Sequence, residues 1–312
     1  MMVFKNKKLE DEDIESIDLF IACLGYEERS FFIFEKIKDK LPEGARMLFT
    51  IDDYRSFDAE IVDKIDSVKP IIEKYNGEND VQKRIVNRVS YISRDNKPKK
   101  IVIDYSSMPR GWYCKIPEIL EAVLNNMSEV IFLYSEGEYV EQPDSYSTVG
   151  IESYHVFSGR PSFSTNRART HFIGVGYDAI RTQGLISILD PEEYVICEAY
   201  NPNCPDVRDS IRRVNEGVIE QTSNIMSLFI TDIEFMISKM KGIINEYYYA
   251  GESDVILVPD GPKPLIFVMS MMPWIMNRAG ISCLHIIRNN KEIKKNNVKA
   301  KGTVIGFSVY VR

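Results

Sequence analysis

The chain has 312 residues, 44% hydrophobic and 27% charged, with a formal net charge of −7. The length has room for two domains of ordinary size, while the acid excess argues against an extended nucleic-acid face, which needs basic neutralisation of phosphates. No run approaches twenty uninterrupted apolar residues, so no membrane span is expected, and the first residues lack the apolar centre of a signal peptide.

Taken in chain order, the first half alternates short buried strands with helical spacing. Leu19 to Leu24 is a strand, and Ser30 to Lys40 has helical apolar spacing. Met47 to Ile51 is the next strand, and a helix from Phe57 to Tyr75 stops at Asn76-Gly77. Val81 to Arg88 predicts a short helix and Val89 to Ser93 a short strand. Lys100 to Ile103 is a strand, Pro109 opens a helix that runs to Asn126, and Glu129 to Tyr134 is another buried strand. Ile151 to Phe157 has the pattern of an antiparallel edge, and Ser158 to Thr170 lacks periodicity. The second half repeats the order, with strands at 172–175, 194–198, 255–258, 282–287 and 303–311, and helices at 180–189, 206–216, 227–248 and 264–278. Strands alternating with helices imply an α/β fold with two tandem, mostly parallel sheets and flanking helices, divided as residues 1–158 and 171–312.

Five cysteines without paired spacing fit a reducing compartment, hence a cytoplasmic protein. Cys23, Cys114, Cys197 and Cys283 sit in or beside apolar runs and are expected to be buried. His155, His171 and His285 lack metal-ligand spacing, so no metal and no cofactor are expected. The basic cluster from Lys291 to Lys301 has the character of a solvated loop.

Two loops recur. An apolar run ends in Gly25-Tyr26-Glu27-Glu28-Arg29, and again in Gly176-Tyr177-Asp178 with Arg181 close behind. Further on, Asp104-Tyr105-Ser106-Ser107-Met108-Pro109-Arg110 in the first half answers Pro259-Asp260-Gly261-Pro262-Lys263 in the second. The interval is 85 residues from Gly25 to Arg110 and 87 from Gly176 to Lys263. Such a spacing suggests a duplicated domain, each copy with a polar site where strands hand over to helices, which is where open α/β sheets bind ligands.

Each loop has a binding and a plain structural interpretation. Arg110 in a first helical turn opposes the helix dipole unless an anion sits there, yet Ser106 or Ser107 can also simply cap the helix while Asp104 pairs with Arg110. Gly25 allows close backbone approach, Tyr26 can stack or hydrogen-bond, Glu27 can contact a ribose or base edge, and Arg29 can pair with phosphate. Equally, Tyr26 can pack on the sheet while the acids start the helix. Asp104, Glu27, Ser106 and Ser107 are the candidates for any acid/base or hydroxyl chemistry. Gly176, Tyr177, Asp178, Arg181, Asp260 and Lys263 make the second copy, where the paired serines are replaced and binding alone is expected.

The form Asp104-Tyr-Ser106-Ser-Met-Pro-Arg110 resembles the strand-to-helix motif of CARF domains, the Rossmann-like sensors of cyclic oligonucleotides in CRISPR-linked defence. In that family the pattern is often Asp-x-Thr-Gly-Gly-Thr-Lys. Ser106 would stand for the threonine and Arg110 for the lysine. In the second copy Lys263 would be the basic residue, but Leu257 falls where the acid should be, and the glycines are missing from both copies. The tandem arrangement is similar to the fused pair in SAVED domains. The resemblance implies a nucleotide ligand on a pseudo-twofold face and an effector supplied as a separate protein. Three functional classes follow: a nucleotide-type sensor or regulator in prokaryotic anti-phage defence, a nucleotide-processing enzyme such as a phosphodiesterase or ring nuclease, and a structural subunit of a defence complex.

Overall fold

A computed structural model describes residues 3–8, 16–42, 44–50, 54–68, 78–124, 127–139, 151–161, 166–250, 252–288 and 298–310. The protein forms two compact units, the first from Met1–Glu141 with Lys295–Arg312, the second from Gln142–Lys294. Each is built on one six-stranded, mostly parallel sheet with helices around it.

In the first unit the strands are β1 (Val3–Lys7), β2 (Leu19–Leu24), β3 (Arg46–Thr50), β4 (Lys100–Asp104) and β5 (Glu129–Tyr139), joined by β12 (Val298–Tyr310). Their order is β1-β12-β5-β4-β2-β3. Neighbours from β5 to β3 are parallel, and β12 is antiparallel to both β5 and β1. The second unit has β6 (Ile151–Arg160), β7 (Ala168–Gly174), β8 (Glu193–Tyr200), β9 (Ile225–Phe229), β10 (Ser253–Val258) and β11 (Ile281–Arg288), in the order β6-β11-β10-β7-β8-β9. Here β6 is the antiparallel strand, paired with β11. Parallel strands buried on both faces need continuous apolar runs, and β2, Leu-Phe-Ile-Ala-Cys-Leu, is buried at all six positions.

The equivalence of the units is therefore β2 with β7, β3 with β8, β4 with β10 and β5 with β11. The closing antiparallel strands are exchanged. β6 follows β5 in sequence but completes the second sheet, and β12 follows β11 but completes the first. This corrects the division at 1–158 and 171–312. Local periodicity identifies a strand but not its partner, and here each closing strand pairs away from its sequence neighbour.

Three elements differ from their sequence-based prediction. Residues 89–92 continue α3 (Glu78–Ile92) and Ser93 opens a 3-10 turn instead of ending a strand, because Val81, Ile85 and Val89 share one helical stripe and are buried together. The helix expected from Pro109 to Asn126 is α4 (Arg110–Tyr113) and α5 (Ile116–Glu121). Pro117 interrupts it, having no N–H for the carbonyl one turn earlier. Residues 227–229 belong to β9, and α9 (Ile233–Asn245) starts only after Asp232, whose carboxylate accepts from Phe235 N at 2.9 Å.

The remaining helices are α1 (Phe32–Ile37), α2 (Ala59–Ser67), α6 (Ala179–Leu189), α7 (Pro205–Val214), α8 (Glu216–Ile219) and α10 (Lys263–Met276). The methionine-rich stretch of α10 is buried, as are the four cysteines expected to be so. Residues 69–77, and 291–297 of the basic cluster, lie outside the described residues. Among the described residues no helix is long and apolar enough to cross a membrane, and no group of His, Cys, Asp or Glu is placed to hold a metal.

Phe307 of β12 is fully buried and stacks on Phe132 of β5, ring centroids 5.1 Å apart. Phe307→Ala should cost about 3–5 kcal/mol in denaturant unfolding. Hydrogen exchange should then quicken first in β5 and β1, with β10 and β11 unchanged. The opposite distribution would show that β12 belongs with its sequence neighbours.

Candidate functional site

In the first sheet the chain leaves β2 toward β3 on one side and leaves β4 toward β5 on the other. The point where direction reverses, between adjacent β2 and β4, is where an open α/β sheet has its crevice. The Gly25 and Asp104 loops begin at the carboxyl ends of these two strands, so the sheet does bring the two predicted loops together. In the second sheet the same reversal falls between β7 and β10, flanked by the Gly176 and Asp260 loops.

The first-unit residues divide into deeply buried supports and an edge where Glu27 and Arg110 are half-buried. Asp104 and Ser106 are buried. Asp104 Oδ1 accepts from Ser106 N at 2.9 Å and from Ser106 Oγ at 2.5 Å, while Ser106 Oγ accepts from Ser135 N at 2.8 Å. These bonds tie the end of β4 to β5 and leave this pair a structural task. Arg29 is only 3% exposed. Its Nε donates to Glu27 Oε2 at 2.6 Å, and its Nη1 donates to the Tyr134 hydroxyl at 3.1 Å and the Ser135 carbonyl at 3.3 Å. Gly137 makes room for it, since a Cβ there would come within 2.7 Å of Arg29 Nη1. Arg29 is thus a buried strut for Glu27 rather than a phosphate ligand.

The edge of the crevice is the half-buried Glu27 with Ser107, itself buried at 8% exposure, beside it. Ser107 Oγ donates to Glu27 Oε2 at 3.5 Å, joining the loop after β2 to the loop after β4. Gly25 is buried and its carbonyl accepts from Ser30 Oγ at 3.2 Å. Tyr26 stands edge-on to Phe57, ring centroids 6.1 Å apart. Burial first, then the neighbouring Glu27 carboxylate, push its phenol up to about 12, with Arg29 pulling the other way. Arg110 is half-buried at the first position of α4. With four residues, that helix brings little dipole to its start, so Arg110 acts through its own charge.

The second unit keeps the plan and closes it. Arg181 Nε donates to Asp260 Oδ2 at 2.7 Å and Nη2 to Oδ1 at 2.9 Å, while Nη1 donates to Asp178 Oδ2 at 2.7 Å. Asp178 also caps α6, its Oδ1 accepting from Arg181 N at 2.9 Å. Asp260 is 1% exposed. Its first-unit counterpart, counting back from the helix start, is Ser107. Where the first unit has a hydroxyl beside an acid, the second has a carboxylate that captures the arginine. The two loops also touch backbone to backbone. A Cβ on Gly174 would collide with the Asp260 carbonyl, one on Gly176 would lie 3.0 Å from Gly261 Cα, and one on Gly261 would lie 2.5 Å from the Val175 carbonyl. Gly176 therefore serves loop packing. Tyr177 packs against the apolar core, so packing also accounts for its recurrence, and Lys263 is half-buried at the first position of α10.

Sequence reasoning missed Tyr134, Ser135, Gly137 and Asn215. Asn215 is fully buried and its Nδ2 donates to the Gly176 carbonyl at 2.8 Å. Gly137 alone carried a signal, since a glycine inside a strand marks close approach by another group.

Fold and site together define a duplicated, Rossmann-like α/β protein with one switch-point edge left half-buried at Glu27 and one closed by an arginine–aspartate triad. No family model matches the chain, and no curated protein matches it. Among solved structures it is similar to a proposed universal stress protein from Pseudomonas aeruginosa UCBPP-PA14, with 6% identity, 87% of this chain and 93% of that one covered, and a TM-score of 0.24. It is also similar to the cytoplasmic domain of a prokaryotic cation chloride cotransporter, with 10% identity, 87% and 95% covered, and a TM-score of 0.21.

Two outcomes are expected. Arg181→Met leaves the buried carboxylate of Asp260 without its cation, and should cost about 3–5 kcal/mol in equilibrium unfolding. Tyr26 ionises later in the folded chain than its ordinary value of 10.0, so its stabilising contribution is complete below pH 10 and is lost as pH rises toward 12. Urea unfolding of Tyr26→Phe between pH 10 and 12 should accordingly show a shallower alkaline decline than the parent protein.

Proposed function

We propose that the first unit binds a nucleotide-type ligand at the β2–β4 switch point. On this reading the protein is a cytoplasmic sensor or regulator in prokaryotic anti-phage defence that passes its state to a separate partner protein. The observation that carries the reading is the meeting of Glu27 and Ser107, 3.5 Å apart across two loops, at the switch point of a parallel sheet. Arg29 and Ser107 both donate to Glu27 Oε2, and Oε1 would accept from a ribose hydroxyl or a base N–H. On binding, Ser107 would turn its single O–H from Glu27 to a phosphate oxygen, and Arg110 supplies the opposing charge. Tyr26 presents its hydroxyl in the protonated form across the physiological range.

The test is thermal unfolding of the full chain with mono-, di- and cyclic nucleotides. A ligand that binds only the folded chain stabilises it by about 2.7 kcal/mol at a hundred times its dissociation constant. The expected result is a rise in Tm with a nucleotide, abolished by Arg110→Ala and reduced by Glu27→Gln. No rise with any nucleotide would overturn the reading. Conversion of the ligand during incubation would replace the sensor with a nucleotide-processing enzyme.

A further inference from the structure

Away from the switch point, a polar cluster of the second unit takes no part in the arrangement described above. Glu198, near the carboxyl end of β8, is 1% exposed. Its carboxylate accepts a forked bond from Arg212 of α7, Nε to Oε2 at 2.7 Å and Nη2 to Oε1 at 2.6 Å, and a third bond from the Ser227 hydroxyl of β9 at 2.6 Å. A buried ion pair is a weak source of stability, because desolvation offsets much of the attraction. It is an effective way to orient an arginine. The Arg212 side chain remains 41% exposed, and its Nη1 makes no hydrogen bond among the described residues.

One turn earlier on α7, Arg208 lies over the Tyr200 ring at 5.3 Å and donates from Nε and Nη2 to Asp209, both at 3.1 Å. Residues four apart share a helix face, about 5–6 Å between their Cβ atoms, so both arginines rise from one face of α7 and reach the end of β8, Arg208 at Tyr200 and Arg212 at Glu198. Tyr200 is edge-on to Phe229, its register partner on β9, with centroids 5.6 Å apart. Phe229 in turn stacks on Phe235 at 5.5 Å, and Phe235 is 38% exposed. An aromatic row thus runs outward from the arginine pair.

The geometry points to a second ligand site, in this unit, for a small molecule that joins a phosphate to an aromatic ring. Arg212 and Arg208 take the phosphate and the Tyr200–Phe229–Phe235 row takes the ring. Guanidinium groups match phosphate oxygens in both charge and plane. Aromatic side chains accept a base through its π-face without reading its edge, so the site would select for phosphorylation and ring shape rather than for one base. Its residues are separate from Glu27, Ser107 and Arg110, and it stands whether or not the first unit binds a nucleotide.

Calorimetric titration of the full chain carrying Arg110→Ala, with 5′-AMP, adenosine and inorganic phosphate in turn, tests the site. That background removes the first unit's proposed cation. The expected result is one AMP bound per chain, with adenosine and phosphate each at least tenfold weaker. Arg208→Ala and Phe235→Ser alter side chains about a third or more exposed, and each should weaken AMP roughly tenfold. Arg212→Lys keeps a cation for Glu198 but loses the fork, and should weaken AMP likewise. If that variant unfolds, the other two decide. Three results would overturn the inference: no AMP binding in the Arg110→Ala background, binding indifferent to Arg208→Ala and Phe235→Ser, or phosphate binding as tightly as AMP. AMP binding by the parent chain that vanishes with Arg110→Ala would support the first unit's site alone.

Discussion

The hydrogen-bond ladder between β12 and β5 is the interaction on which the first unit depends. It runs from Val298 opposite Tyr139 to Tyr310 opposite Glu129, with one irregularity between Ala300 and Val304. β1 then pairs along the other edge of β12, and Lys7 meets Glu129 at 3.1 Å. The ladder fixes β5, and β5 carries Tyr134 and Ser135, which hold Arg29. Arg29 holds Glu27, and Glu27 meets Ser107. A site at the start of the chain is therefore braced through a strand from its end.

Duplication has produced two versions of one switch point that use their arginine differently. In the second unit the arginine bridges two aspartates, one from each loop, and glycines let the loop backbones touch. In the first unit a serine holds that place. Its arginine is spent inward on Tyr134 and Ser135, and the acid is left at the edge. The exchange of a carboxylate for a hydroxyl on one loop is the largest chemical difference between the two crevices. Fusion in one chain allows this division, since two copies of a homodimer would have to share one sequence.

Much of this was legible from local pattern. The buried strands β2, β4 and β10 stand out as apolar runs ending at Gly25, Asp104 and Pro259, and the recurrence of those loops exposed the duplication. Local pattern failed where a distant partner decided the outcome. Residues 89–93 contain β-branched residues suited to a strand, but the stripe through Val81 and Ile85 makes them helical. Arg29 looked like a phosphate ligand because the groups that bury it, around Tyr134 and Gly137, lie more than a hundred residues away. Partner choice by β6 and β12 left no trace in periodicity, since either strand would look the same paired with β5 or with β11. Pro117 could have been read directly, as a proline inside a predicted helix.

The exchanged closing strands also shape how the protein emerges from the ribosome. β5 ends at Tyr139, but the strand that covers its edge spans Val298–Tyr310. At ordinary elongation rates of about 5–20 residues per second, roughly 10–30 s of synthesis separate the two. During that interval the nascent first sheet carries an uncovered, largely apolar edge while β6 emerges directly behind it. An early β5–β6 hairpin would be a plausible-looking trap that must reopen before β11 can claim β6. The order of translation and the order of pairing are at odds in this fold, and chaperone dependence during synthesis is the natural cost.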